Sequence, residues 1–455
     1  MIRLPHFSLK KSGQAGGLEF VSKPLTRQEC IKKESVSREK YSKTHFTSSI
    51  SLISQTRITY MGEQSCVISG ETRSMSIQLS MSLKRSFYLD QIRAVIVALV
   101  IALHVPMAFW DISWIGVLIP VEGTVGPFFL GFFRWYAYAI NSFIMPMMFL
   151  ISGYFVPRSV YAKGISHYLQ RRLQRLGIPF ILGMLVINNS SILLARQSPG
   201  SPFAGIPLSD LPFNTVIVLW FLVVLFVFDL LYCAWVSLRG HRYSVDGTVA
   251  VPAMRSWLIS AIALGILEVV MAMQTNLWSV LFRSPLNALA LQGSHIFTYA
   301  FLFFFGCKAS FHGWFERLDT RLILKWTRLS MFLLLSQFGL FMTLSFNSDF
   351  SDISGLAALM GVFFYPFIAW GIMSYLLLWF QRNDDRFGKW LATAGINSYG
   401  AYVIHSLVLV VVLMVVGFIG INPWLIAIIS TLLSIFISFG LAGQLRRISA
   451  LARIL

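Results

Sequence analysis

Charged side chains are scarce. They make up 12% of the 455 residues, against about a quarter in an ordinary soluble domain, while 56% of residues are hydrophobic and the mean hydropathy is +0.69. This composition excludes a soluble globular enzyme. Acids are scarcer still, with 19 Asp and Glu against 37 Lys and Arg, for a formal net charge of +18. On a compact soluble face that excess would suggest nucleic acid. Here most of it falls in a tail before Lys84 and in alternate loops, so no nucleic-acid partner is expected. Only four cysteines occur, Cys30, Cys66, Cys233 and Cys307, without metal-type or redox-type spacing. They read as reduced, structural thiols, and no metal site is expected. The first eighty residues are rich in Ser, Lys and Arg and lack the apolar core of a secretory signal. No internal repeat is visible, which counts against a transporter built from inverted repeats.

Long apolar runs fill the rest. Hydropathy predicts spans near Leu89–Trp110, Tyr138–Val156, Ile178–Ala195, Thr215–Ser237, Trp257–Gln274, His295–Ser310, Leu329–Phe346, Leu356–Phe380, Ile396–Ile419 and Pro423–Ala442. Lys84 and Arg85 precede the first span, and further basic clusters follow every second one: Arg158 to Arg175, Arg239 to Arg255, Lys308 to Arg328, Arg382 to Lys389, and Arg446 to Arg453. The alternate loops carry Asp111, Glu122, Asp210, Asp349 and Asp352 instead. Because Lys and Arg accumulate on the cytoplasmic side, this alternation supports the count. The expected fold is therefore all-α: a multi-pass bundle of about ten transmembrane helices over residues 85–455, with both termini cytoplasmic. Residues 1–84 read as a polar, disordered tail, and Met61, Met75 and Met81 are each possible true starts.

Polar residues inside the spans are the candidates for chemistry, since a buried ionisable group in a membrane faces protein or a watery cavity. Eleven residues separate Arg93 from His104. At 100° per residue this places both on one face, about 16 Å apart along the axis, with Asp90 one turn before Arg93. Taken alone, His104 reads first as a core imidazole bonded to a neighbouring backbone carbonyl, and Arg93 as a snorkelling anchor. Arg172 and Arg175 lie one turn apart and suit phosphate, although an ordinary positive-inside cluster has the same charge. In the ninth span Ser398, Tyr402 and His405 form a polar stripe on one helix face. Asp229 and Glu268 are intramembrane acids tied to no step, each read as a partner for an Arg or a hydroxyl, and His295 reads as structural.

Five segments taken in order carry a resemblance. They are Tyr88-Leu89-Asp90-x-x-Arg93 with His104, Ile151-Ser152-Gly153-Tyr154-Phe155, Arg172-x-x-Arg175 before Gly177-Ile178-Pro179, Leu219-Trp220-Phe221-Leu222, and the Asn397-Ser398-Tyr399/Tyr402/His405 stripe. Together they resemble the membrane-bound acyltransferase-3 family, in particular its branch for periplasmic glucan modification, the glucan biosynthesis protein C type, regarded as succinyltransferases. The resemblance runs from about Arg85 to the C-terminus and leaves the polar tail without a counterpart.

The resemblance implies a multi-pass protein of the bacterial inner membrane. It implies acyl-CoA as cytoplasmic co-substrate, with no tightly bound cofactor, and a carbohydrate or glycolipid acceptor such as a periplasmic glucan or exopolysaccharide. Arg93, Arg172 and Arg175 are then expected at the donor's phosphates. His104 is expected as general base or as a covalent acyl carrier. His405 would orient the acceptor or stabilise an oxyanion, with Tyr402 and Ser398 as hydrogen-bond partners and Asp90 supporting Arg93. The rival class is a proton-coupled transporter or a flippase for an acylated or anionic substrate.

Overall fold

A computed structural model describes residues 87–109, 126–198, 201, 203–211, 213, 218–239, 249–273, 295–346, 351–383, 386 and 388–454. The tail 1–84 with Cys30, Cys66 and the three internal Met candidates lies outside them, as do Lys84, Arg85, Asp111, Glu122, Arg242 and Asp349 of the charge pattern. Among the described residues the chain is all-helical, and no strand occurs.

The helices are α1 (Phe87–His104), α2 (Pro127–Lys163), α3 (Ile165–Ala195), α4 (Trp220–Arg239), α5 (Met254–Met273), α6 (Ile296–His312), α7 (Thr320–Phe346), α8 (Ser351–Arg382), α9 (Gly388–Gly417) and α10 (Pro423–Leu445), with a short α11 (Ser449–Ala452) at the end. Nine of those described are long and apolar enough to cross a membrane. The sixth expected span corresponds to α6, which is apolar but has only 17 residues.

Several helices begin well before the expected boundary. α2 starts at Pro127 rather than Tyr138, α3 at Ile165 rather than Ile178, α7 at Thr320 rather than Leu329, and α9 at Gly388 rather than Ile396. Hydropathy reports the thickness of hydrocarbon, whereas backbone hydrogen bonding continues into the headgroup zone, and Arg, Lys and Gln are good helix formers. The segment from Arg158 to Arg175 is consequently helical. Its one break is Gly164, whose φ of +76° ends α2 and starts α3. Two π-helical turns, Leu173–Gly177 and Gly183–Asn188, lie within α3.

Small residues set the spacing of the bundle, as expected where lipid provides no hydrophobic drive between helices. A Cβ on Gly153 of α2 would strike the Phe303 carbonyl of α6, and one on Gly306 of α6 would strike the Leu150 carbonyl of α2. Gly395 of α9 sits equally close to the Asp90 carbonyl of α1. On α10, Ser430, Ser434 and Ser438 are fully buried, while Leu432, Leu433 and Phe436 are exposed. Polar residues inward and apolar residues outward is the arrangement a lipid solvent requires.

Candidate active site

α1 and α9 bring two histidines together. The ring centroids of His104 and His405 lie 5.3 Å apart at an interplanar angle of 58°. The close approach at Gly395 is what allows it: without a Cβ there, α9 presses on the backbone of α1 one end of the pair away from the imidazoles. His405 is fully buried and His104 half-buried.

Each imidazole is oriented by its own helix. His104 Nδ1 lies 2.6 Å from the Val100 carbonyl, and His405 Nδ1 lies 2.5 Å from that of Tyr402. A carbonyl only accepts, so each Nδ1 carries the hydrogen and each neutral ring presents a lone pair at Nε2. The Nε2 of His405 is buried with no hydrogen-bond partner. With the His104 ring 5.3 Å away, that unpartnered lone pair marks a site that a hydroxyl hydrogen would satisfy.

The rest of the stripe supports this pair from behind. Tyr402 donates its hydroxyl to the Val218 carbonyl, and its ring lies 5.9 Å from Phe221 and 5.7 Å from His405. Phe149 stacks on Tyr299 at 4.9 Å and contacts Phe221 at 4.7 Å, so α2, α4, α6 and α9 share one aromatic wall. Ser398 turns to its own helix, donating to the Gly395 carbonyl at 2.7 Å, and does not reach the imidazoles.

The basic residues gather at the other end of these helices. Arg93 Nη1 is 3.3 Å from Asp90 Oδ1, and its guanidinium lies 4.8 Å above the Phe155 ring, a cation–π contact with the second sequence segment. The turn 395–399 of α9 ties this region together: Gly395 abuts Asp90, the Tyr399 hydroxyl donates to the Arg175 carbonyl, and Arg446 donates to the Ile396 carbonyl. The Arg175 side chain is exposed. Arg446, assigned by sequence to loop charge alone, thus joins the turn next to Ser398.

Arg172 is bound more tightly than its neighbours. Its Nε is 2.9 Å from Asp229 Oδ2 and 2.9 Å from the Tyr168 hydroxyl, and Tyr168 in turn donates to Asp229 Oδ1 at 2.7 Å. Asp229 therefore pairs with an arginine and a hydroxyl. Both contacts are made by Nε, and the Arg172 side chain is 23% exposed. Glu268 accepts from the Thr298 hydroxyl and lies 3.0 Å from His295 Nδ1, so its partners are a hydroxyl and an imidazole. Cys233 and Cys307 are buried free thiols. Among the described residues no cluster of His, Cys, Asp and Glu suits a metal ion.

The sequence carried half of these pairings. An acid inside a span announces that a partner exists, but several arginines were available to Asp229, and only the fold selects one.

Comparison with known proteins gives a consistent set of likenesses. The acyltransferase domain family matches residues 86–443. The chain is 27% identical over 173 residues to glucans biosynthesis protein C of Shigella dysenteriae serotype 1 (strain Sd197), covering 36% of this chain and 43% of that protein. The protein of the same name from Escherichia coli (strain K12) matches with the same identity and coverage. The alignment thus spans less than half the length of these relatives.

Proposed function

The chain belongs to the acyltransferase-3 family, and we propose that it is a membrane O-acyltransferase that moves an acyl group from acyl-CoA to a hydroxyl of a cell-envelope carbohydrate. The observation that carries this reading is the His104–His405 pair, with both Nδ1 atoms tied to helix carbonyls and the Nε2 of His405 left without a donor. In the proposed step, His104 Nε2 takes the proton of the acceptor hydroxyl as its oxygen attacks the thioester carbonyl. The tetrahedral intermediate then collapses, the C–S bond breaks, and the imidazolium returns its proton to the departing thiolate. The products are an ester and free CoA. A positioned base of this kind contributes about 10²–10⁴ in rate. His405, an acceptor at Nε2 in its neutral form, orients the hydroxyl rather than donating to an oxyanion.

Arg93, Arg172 and Arg175 bind the donor's phosphates in this reading. The partly exposed side chain of Arg172 and the exposed side chain of Arg175 support it, because guanidinium forks match phosphate geometry. The nucleotide then stays at the basic end, and the pantetheine arm runs along α1 towards His104, about 16 Å away along the axis. Loop charge further supports ten spans, with α6 as a short one, and both termini in the cytoplasm, while the family likeness favours a bacterial inner membrane. Succinyl is the first choice of acyl group and acetyl the second, with a periplasmic glucan or exopolysaccharide as acceptor. The name carried by the matched relatives favours glucan.

The test is acyl transfer in membranes supplied with radiolabelled succinyl-CoA or acetyl-CoA and glucose oligosaccharide. Wild type should label the saccharide and His104→Ala should not. Equal labelling by both would refute the role of His104. Label retained on the protein without acceptor would replace the general base with an acyl-histidine.

A further inference from the structure

A cavity with a few polar groups in its wall lies between α2, α7 and α8, with a volume of about 310 Å3. Its wall includes Tyr138, Asn141, His295, Gln337, Phe341 and Tyr365, and none of it comes from α1 or α9. It lies away from the basic end of the bundle. On α2, Tyr138 precedes Arg158 by twenty residues, about 30 Å of helix. On α7 the lining positions Gln337, Leu340, Phe341 and Leu344 form one face. The wall shared by Tyr299, Trp220, Phe221 and Tyr402 stands between this cavity and the histidine pair: His295 lies 6.1 Å from Tyr299, and Tyr299 5.5 Å from Trp220.

Most of the polar groups here are already committed. Tyr138 donates to the Gly361 carbonyl at 2.7 Å, Tyr365 to the Asn141 carbonyl at 2.5 Å, and His295 stacks on Tyr365 at 3.8 Å while its Nδ1 holds Glu268. Gln337 is the exception. It is 3% exposed, and its Oε1 is buried without a hydrogen-bond partner. A buried amide oxygen with nothing donating to it is costly inside a membrane, and a cavity beside it gives a donor room to enter. The floor opposite is Gly361, where a Cβ would come 3.8 Å from Gln337 Oε1 and 3.5 Å from the Tyr138 ring.

We propose that this cavity binds a neutral, hydroxyl-bearing ring, a sugar, with one ring hydroxyl donating to Gln337 Oε1 and the ring's C–H faces against Tyr138 and Phe341. Among the described residues the lining contains no Lys, Arg, Asp or Glu, which disfavours a charged ligand. The volume is at the lower end of the range for small-molecule sites, about 300–1,000 Å3, which limits the occupant to one or two rings. Two sources present such a ring: a free glucan chain and the head group of a glycolipid.

Titration of the purified full chain with maltotriose, and separately with vesicles containing a glucosyl diacylglycerol, distinguishes the sources. No acyl donor is present, so the readout is binding alone, and comparing wild type with variants at Gln337 and Gly361, which line this cavity and not the histidine pair, separates it from the acceptor site of the acyl-transfer reading. Binding of either ligand, weakened about tenfold in Gln337→Leu by loss of one hydrogen bond, is the expected result. Gly361→Ala fits at ordinary contact distances, keeps the thermal unfolding temperature, and should also weaken binding by filling the floor. Failure of wild type to bind either ligand, or unchanged affinity in Gly361→Ala, overturns the proposal.

Discussion

Replacing either partner of the Arg172–Asp229 pair should destabilise the bundle, and the two replacements should differ in size. The Asp229 side chain is 0% exposed and the Arg172 side chain 23% exposed. Breaking a buried ion pair by removing one partner costs about 3–5 kcal/mol, chiefly because the other charge is left in a medium that cannot solvate it. Arg172→Leu strands a carboxylate with no path to water and only the Tyr168 hydroxyl for company, so its cost belongs near the upper end, about 5 kcal/mol. Asp229→Leu strands a guanidinium that still reaches the surface, and its cost belongs near about 3 kcal/mol. The double replacement removes both charges and should cost far less than the sum, leaving mainly the orphaned Tyr168 hydroxyl at about 1–3 kcal/mol. Reversible unfolding of the detergent-solubilised protein by SDS titration, as a double-mutant cycle, measures all three. Additive costs, or a larger effect from Asp229→Leu than from Arg172→Leu, would refute the reasoning.

Arg172→Lys keeps the charge but loses the planar fork, and should raise KM for acyl-CoA about tenfold with kcat little changed, read from initial rates. His104→Ala and His405→Ala should each lower kcat, by about 10²–10⁴ for His104. If the pair acts as a unit, the double variant loses little more than His104→Ala, and a product of the two effects would contradict that. Gly153→Ala should destabilise, because its Cβ meets the Phe303 carbonyl, whereas Gly440→Ala meets nothing within 4 Å and should be neutral or stabilising by up to about 1 kcal/mol. Thermal unfolding of the two side by side separates packing from helix propensity. Tyr402→Phe leaves the Val218 carbonyl without its donor and should cost about 1–3 kcal/mol and reduce kcat, checked in the same unfolding and rate assays.

Among the described residues hydropathy located each of the nine helices long enough to cross a membrane and the shorter α6, because a lipid solvent leaves few alternatives to an apolar helix. It misjudged the ends of α2, α3, α7 and α9, because the helix continues where hydrocarbon stops. The early start of α3, at Ile165 and not Ile178, matters for the site: Arg172 stands on a helix that faces α4, and so reaches Asp229.

Helical period alone put Arg93 and His104 on one face, and Ser398, Tyr402 and His405 on another, since those relations are local and repeat every 3.6 residues. It did not establish that the two faces meet. That decision lies in the register between helices, set by a few positions where the absence of a side chain lets backbones touch: Gly395 against Asp90, Gly153 against Phe303 and Gly306 against Leu150. From that register follow the facing imidazoles, the selection of Arg172 by Asp229, and the cavity around Gln337. Sequence determined which residues lie inside the membrane, because burial is governed by composition along one helix. Tertiary structure decided which of them act on one another, because contact depends on side chains from different helices, 57 residues apart for Arg172 and Asp229 and 301 for the two histidines.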